Sequence, residues 1–230
     1  MNRRMEFEND EAWHNRGYLP HYDQANKYQM ITYRLADSLP KDVLAGFAGG
    51  SPANKLSPIP DSSSIDEIKK RKLVEKYLDQ GYGACYLEIP EVAQLVVENW
   101  FHFDGERYDL IAYVIMPNHV HLLIKTYANY TLKDVIHSWK SFTAHKIIKF
   151  LDRNAGEPPA SPGNEKVETS IGKSLELPKK IWMEDYWDRF IRDERHFCSV
   201  ISYIVQNPVK ANLVKDSKEW LWTYINHNKN

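Results

Sequence analysis

The chain has 230 residues, with 30 Lys and Arg against 31 Asp and Glu for a formal net charge of −1. That balance excludes the global basic field by which many proteins hold nucleic acid without regard to its sequence, so a site for a polyanion has to be local. With 43% apolar residues and no stretch near the ~18 consecutive apolar residues of a membrane span, the composition is that of one domain, 1–230, with insertions and no membrane partner.

The opening residues, Met1 to Glu8, contain no apolar leader core, so a cytoplasmic chain is expected. Cys85 and Cys198 are too few and too far apart for a disulfide framework or a zinc ribbon, and read as buried thiols. Seven Trp and 14 Tyr supply flat rings that suit base stacking as well as core packing.

Residues 1–27 are polar and aromatic without a period and read as an arm lying on the domain. Tyr28 to Leu35 is rich in β-branched and aromatic residues and predicts the first strand, followed by Ser38-Leu39-Pro40 and a short helix at Pro40 to Leu44. Gly, Ser and Pro mark a linker at about 49–62. Ser63 or Ser64 can cap a helix from Ile65 to Asp79, whose basic run Lys69 to Lys72 reads as a solvated face. A turn at Gly81 to Gly83, a helix opened by Pro90 and running to about Phe103, and a strand from Arg107 to Ile115 follow.

The apolar run Tyr113 to Ile124 is interrupted once, at Pro117-Asn118. Pro cannot donate to a ladder and Asn tolerates turn geometry, so one strand ends near Met116 and the next begins near His119. Alternation puts Val120, Leu122 and Ile124 on one face and His119, His121 and Leu123 on the other. Two imidazoles projecting side by side form half of a divalent-metal site, or are simply two histidines on a partly exposed strand.

Thr131 caps a helix of about twenty residues that carries Lys140. Residues 153–179 are Gly- and Pro-rich and read as an insertion outside the core. The aromatic run Ile181 to Ile191 is strand-like, and a helix from Asp193 to Asn207 places Tyr203 and Asn207 on one face. Pro208 is expected to end that helix, leaving the Asn207 amide to project from a frayed last turn. A core-edge tyrosine followed by a plain helix stop is the other reading. The element order fits an α+β domain of ferredoxin-like type, a central antiparallel β-sheet with helices packed on its face.

Met116-Pro117-Asn118-His119-Val120-His121-Leu122-Leu123, with Tyr203-Ile204-Val205-Gln206-Asn207-Pro208-Val209-Lys210-Ala211-Asn212-Leu213-Val214, resembles the REP-associated tyrosine transposases among the HUH single-tyrosine transposases. The likeness extends to Leu19 to Tyr22, Thr32 to Pro40, Trp139-Lys140-Ser141 and Tyr186 to Glu194. It implies an RRM-like palm, with His119, His121 and Asn207 holding Mg²⁺ or Mn²⁺ and Tyr203 as nucleophile. Gln206, beside Asn207, is chemically able to replace it as third ligand. The implied substrate is single-stranded DNA folded into an imperfect hairpin, a REP-like palindrome, cut through a 5′-phosphotyrosine bond by a monomer or homodimer.

Lys140, Arg189, Arg192 and Lys210 are candidate phosphate contacts or plain surface charges. Trp182-Met183, where many relatives have Trp-Gln, and the insertion at 153–179 bear on DNA specificity and leave the catalytic set intact. Two rival readings are a domesticated, non-catalytic DNA-hairpin-binding protein and a metal-dependent phosphohydrolase that uses water. A phenol with a pKa near ~10 has to lose its proton during attack, to an acceptor that the sequence does not identify.

Overall fold

The structure, a computed structural model, describes residues 13–15, 20–22, 26–40, 43, 65–154 and 177–228. The strands are β1 (Trp13–Asn15), β2 (Pro20–Tyr22), β3 (Tyr28–Arg34), β4 (Tyr108–Ile115), β5 (His119–Thr126), β6 (Trp187–Phe190) and β7 (Thr223–Ile225). The helices are α1 (Ile65–Asp79), α2 (Pro90–His102), α3 (Leu132–Arg153) and α4 (Glu194–Lys210). β1 and β2 pair with each other, and the other five strands form an antiparallel sheet in the order β6-β3-β5-β4-β7. This is the expected α+β architecture, and the histidine strand β5 is its central strand.

β5 is buried along its whole length except at Lys125, because both faces of the sheet are covered. Tyr33, Val120, Leu122 and Ile124 pack with Val96 and Trp100 of α2 and Trp139 of α3. On the opposite face Met30, Ile111, Ala112, Val114 and Leu123 pack with Val200 and Ile204 of α4. Helices therefore sit on two faces where one was expected, and α4 is the helix that covers the histidine face. A β-bulge between Leu110 and Ala112 reconciles β4 with this arrangement. The extra residue lets Ile111 and Ala112 both turn toward α4 before alternation resumes at Tyr113.

Three expectations are corrected. The run 181–191 is a strand only at Trp187–Phe190, while Trp182 joins Leu35 by a single bridge and its indole donates to Thr143 Oγ1 at 2.8 Å. Pro208 does not end α4, which continues to Lys210. Its missing N–H removes one bond, to the Ile204 carbonyl, but Asn207 O still accepts from Ala211 N at 2.9 Å and Pro208 O from Leu213 N at 2.9 Å. The two thiols are not both buried: Cys85 is half-buried and Cys198 exposed.

The edge strand β7 is an addition to the sequence reading. It is held by Trp220 Nε1 donating to Ile115 O at 2.8 Å and by stacking of Tyr224 on Tyr113 at 5.4 Å. The expected helix at 40–44 and linker at 49–62 fall largely outside the described residues, as does most of the insertion. Among the described residues no helix is long and apolar enough to cross a membrane.

Candidate active site

Pro117 and Asn118 form a two-residue connection in which Met116 N donates to His119 O at 2.9 Å. Unlike most turns it is buried, with Asn118 0% exposed. Leu35 N donates to Asn118 O at 2.8 Å, and Leu87 N donates to Pro117 O at 3.2 Å. Asn118 Nδ2 donates to Tyr82 O at 2.9 Å. The loop offering that carbonyl needs Gly83, which has φ +99° and where a Cβ would lie 2.7 Å from Asp37 O. The turn is thus clamped from Leu35 just beyond β3, from the Gly81–Cys85 loop and from the 3₁₀ turn Tyr86–Glu88.

The clamp aims the histidines. His119 Nδ1 meets Asn118 Oδ1 at 2.8 Å, and His121 Nδ1 meets Thr32 Oγ1, its register partner on β3, at 2.7 Å. The remaining ring nitrogens converge, Nε2 to Nε2, at 3.1 Å. Both rings are buried, which excludes the reading of two exposed surface histidines. Burial, reinforced by the nearby Lys210 and Arg34 cations, pushes the His119 pKa down to about 3, so this imidazole is neutral at neutral pH.

α4 closes the other side. Asp193 caps it by accepting from His196 N at 2.7 Å, and Val200 and Ile204 fix which face meets the sheet. That face also carries Tyr203, whose ring stands edge-to-face on His121 with centroids 5.1 Å apart. Burial raises the Tyr203 pKa; hydrogen bonding to Asn207 opposes the rise, and the Glu75 carboxylate adds to it. Asn207 is 1% exposed and donates through Nδ2 to Tyr203 O at 3.2 Å, while its Oδ1 has no hydrogen-bond partner among the described residues. Gln206 is exposed.

A third wall was missed by the sequence reading. Glu75 and Asp79 of α1 line, with Thr32, His119, His121 and Tyr203, a cavity of about 10 Å³, roughly the room of one water-sized sphere. They lie one helical turn apart and flank Leu78, which with Val74 and Leu39 forms a small separate apolar cluster against Trp187. The available signal was this acidic pair beside an apolar stripe, obscured by the basic run earlier in the helix. Asp79 Oδ2 accepts from Lys210 Nζ at 3.0 Å, and that ammonium also lies 5.9 Å from the Tyr203 ring centroid.

The other basic candidates are dispersed. Lys140 is turned inward: its Nζ donates to Glu184 O at 2.8 Å and Asp185 O at 3.3 Å, and burial lowers its pKa to about 8. It therefore pins the 184–185 backbone instead of offering a free ammonium to a phosphate. Arg189 and Arg192 are exposed, on β6 and just beyond it. Arg34, which was not singled out, sits opposite His119 on β3 and donates to Ser38 Oγ at 3.0 Å. Among the described residues no three His, Cys, Asp or Glu side chains gather to hold a metal. Beside the two imidazoles the cavity is lined by the Glu75 and Asp79 carboxylates and by Thr32 and Tyr203, and Asn207 is not among its lining residues.

The family model described as Transposase IS200 like matches residues 96–156, which include His119 and His121 and end before Tyr203. The chain is also similar to the REP-associated tyrosine transposases: a Haemophilus influenzae protein of that description is 25% identical over 113 residues, 49% of this chain and 56% of the relative. The chain thus spans little more than half the length of that curated relative. Among solved structures, a REP-associated tyrosine transposase bound to a REP hairpin is 14% identical, with a TM-score of 0.44 over 88% of this chain and 79% of the other. A Deinococcus radiodurans transposase is 13% identical, with a TM-score of 0.32 over 84% of this chain and 96% of the other.

Proposed function

We propose that this chain is a metal-dependent single-strand DNA nuclease and strand transferase of the HUH type, acting on hairpin-forming DNA through a 5′-phosphotyrosine intermediate. One observation carries the reading: the Tyr203 ring lies on His121, whose Nε2 is 3.1 Å from His119 Nε2. A phenol beside two converging buried imidazoles supports a phosphoryl-transfer reading, and a hairpin-binding role alone needs neither group.

The donor set fits a divalent cation. The two Nε2 atoms face each other at 3.1 Å, the His119 ring is held neutral by burial, and the buried Asn207 Oδ1 lacks a partner among the described residues. His119, His121 and Asn207 are the residues that would hold it. Bound Mg²⁺ or Mn²⁺ supplies Lewis-acid neutralisation of charge on a phosphate oxygen.

The protein's own part is transesterification. Tyr203 Oη attacks the scissile phosphorus, the bond from phosphorus to the 3′ oxygen breaks, and the phenolic proton is balanced by the one gained on the 3′-OH. One phosphodiester replaces another, so rejoining needs no nucleotide cofactor. Because burial raises the phenol pKa, Tyr203 is protonated until attack begins. Lys210, next to Tyr203 and paired with Asp79, is the nearest phosphate contact among the four candidates, and Arg189 and Arg192 are peripheral ones. Tyr203 meets the histidines of its own chain, which favours a monomer as the working unit over a homodimer exchanging α4.

The test mixes purified protein with end-labelled hairpin oligonucleotides taken from the DNA flanking its gene, in Mn²⁺ or EDTA, on a denaturing gel. The expected product is a metal-dependent, SDS-resistant protein-DNA band, absent in Tyr203→Phe and His119→Ala. Cleavage that survives Tyr203→Phe without that band would establish hydrolysis by water instead, and binding with neither product would establish a hairpin binder.

A further inference from the structure

We infer that Asn118 and Thr32 are positioning residues with unequal tasks: Asn118 locks the tautomer of His119, and Thr32 lets His121 change its own. The inference deepens the proposed function and rests on His119 and His121 being the cation ligands.

A neutral imidazole carries its proton on Nδ1 or on Nε2, and only a bare Nε2 can ligate through that atom. Asn118 leaves His119 no choice. Its Nδ2 is committed to Tyr82 O at 2.9 Å, which fixes the amide's orientation and turns the acceptor Oδ1 toward His119 Nδ1 at 2.8 Å. Nδ1 must be the donor there, so the proton sits on Nδ1 and Nε2 presents a lone pair. The clamp around the buried turn, with Gly83 holding the Tyr82 carbonyl in place, prevents the amide from flipping.

Thr32 differs because a hydroxyl both donates and accepts. Facing His121 Nδ1 at 2.7 Å, it can donate to a bare nitrogen or accept from a protonated one by turning its O–H. Before a cation arrives, two lone pairs at 3.1 Å would repel, so His121 carries its proton on Nε2 and donates to His119 Nε2 while Thr32 donates to Nδ1. With a cation held by His119 and His121, His121 would carry its proton on Nδ1 and the Thr32 hydroxyl would turn to accept it. No proton is gained or lost by the pair. The site is thus preorganised at one ligand and self-bridged at the other, and the Thr32 hydroxyl can pair with His121 Nδ1 in either tautomer.

The test is long-range ¹H–¹⁵N NMR of the full chain labelled with ¹⁵N-histidine, in EDTA and in excess Mg²⁺. His119 is expected to show protonated Nδ1 and bare Nε2 in both conditions, and His121 to switch from protonated Nε2 to protonated Nδ1 on adding Mg²⁺. Thr32→Val keeps the β-branched shape but removes the hydroxyl; it should leave the His119 pattern unchanged, hold His121 in its Nε2–H form and weaken Mn²⁺ binding ~10–100-fold. Asn118→Asp retains the acceptor and should retain the His119 tautomer, whereas Asn118→Ala should lose it; thermal melts check that each variant folds.

A protonated Nε2 on His119 in EDTA, or a Thr32→Val protein whose His121 still switches, would overturn the inference. These spectra do not depend on turnover. The inferred tautomers and switch without a protein-DNA band would sink the transferase reading alone, and the band with the wrong tautomers would sink this inference alone.

Discussion

The two walls that meet at Tyr203 are built differently. On the sheet side His119, His121 and Thr32 stand on β3 and β5 inside two large apolar clusters, with ring nitrogens and turn amides paired. On the opposite side Glu75 and Asp79 stand on α1, which rests on the cluster of Leu39, Val74 and Leu78 with partial support from Tyr77 and Trp187. Burying two or three aliphatic side chains contributes about 1.5–3 kcal/mol each, as an upper bound. The lesson is one of local stability: the histidine wall is expected to open only with the whole fold, and the acidic wall by itself.

The largest effect expected is at Tyr203, on α4 where the two walls meet. Tyr203→Phe should abolish covalent DNA attachment on the denaturing gel while leaving hairpin retention in a native gel within a few-fold of wild type. If attachment survives, the nucleophile lies elsewhere and the comparison has been drawn around the wrong residue.

Next comes a matched pair of core truncations. Leu123→Ala, at the centre of the α4 face, should cost ~2–5 kcal/mol in urea unfolding followed by circular dichroism. Leu78→Ala, under α1, should change global stability by under ~1 kcal/mol and instead speed hydrogen exchange within α1. Equal losses of global stability would show that α1 unfolds with the sheet.

A smaller effect follows from His119. Its folded pKa of about 3 lies below the unfolded value of ~6.5, so the unfolded chain binds the extra proton between those limits. Stability is therefore full above pH ~6.5 and falls as pH drops toward 3, by at most ~1.4 kcal/mol per pH unit. Urea unfolding at pH 7 and pH 5 should show a shallower loss in His119→Gln than in wild type.

The smallest effect concerns the ion pair between the walls. Asp79→Asn should change stability by under ~1 kcal/mol, since the Lys210 side chain is 48% exposed. By releasing that ammonium it should raise affinity for hairpin DNA a few-fold and steepen its salt dependence in fluorescence anisotropy. An unchanged salt slope would remove Lys210 from the DNA contacts.

What was legible in the sequence was what local pattern determines. The period-2 alternation of His119 to Ile124, the break at Pro117-Asn118, the Thr131 cap and the one-turn spacing of Tyr203 and Asn207 all reappear in the structure. What was not legible depends on partners distant in the chain. β7 is three residues long and exists because Tyr113 and Ile111 receive it. Lys140 reads as surface charge until the 184–185 carbonyls fold onto it. Asn118 reads as a turn former, and only the Tyr82 carbonyl, 36 residues away, reveals the direction of its amide.

The passage of α4 through Pro208 has a mechanical consequence. Had the helix stopped at Asn207, the phenol and the amide oxygen would sit on segments free to swing separately. On one uninterrupted rod, tied onward by Ala211 and Leu213, they share a single translation and a single rotation. The backbones of Tyr203 and Asn207 therefore advance or withdraw together, one helical turn apart.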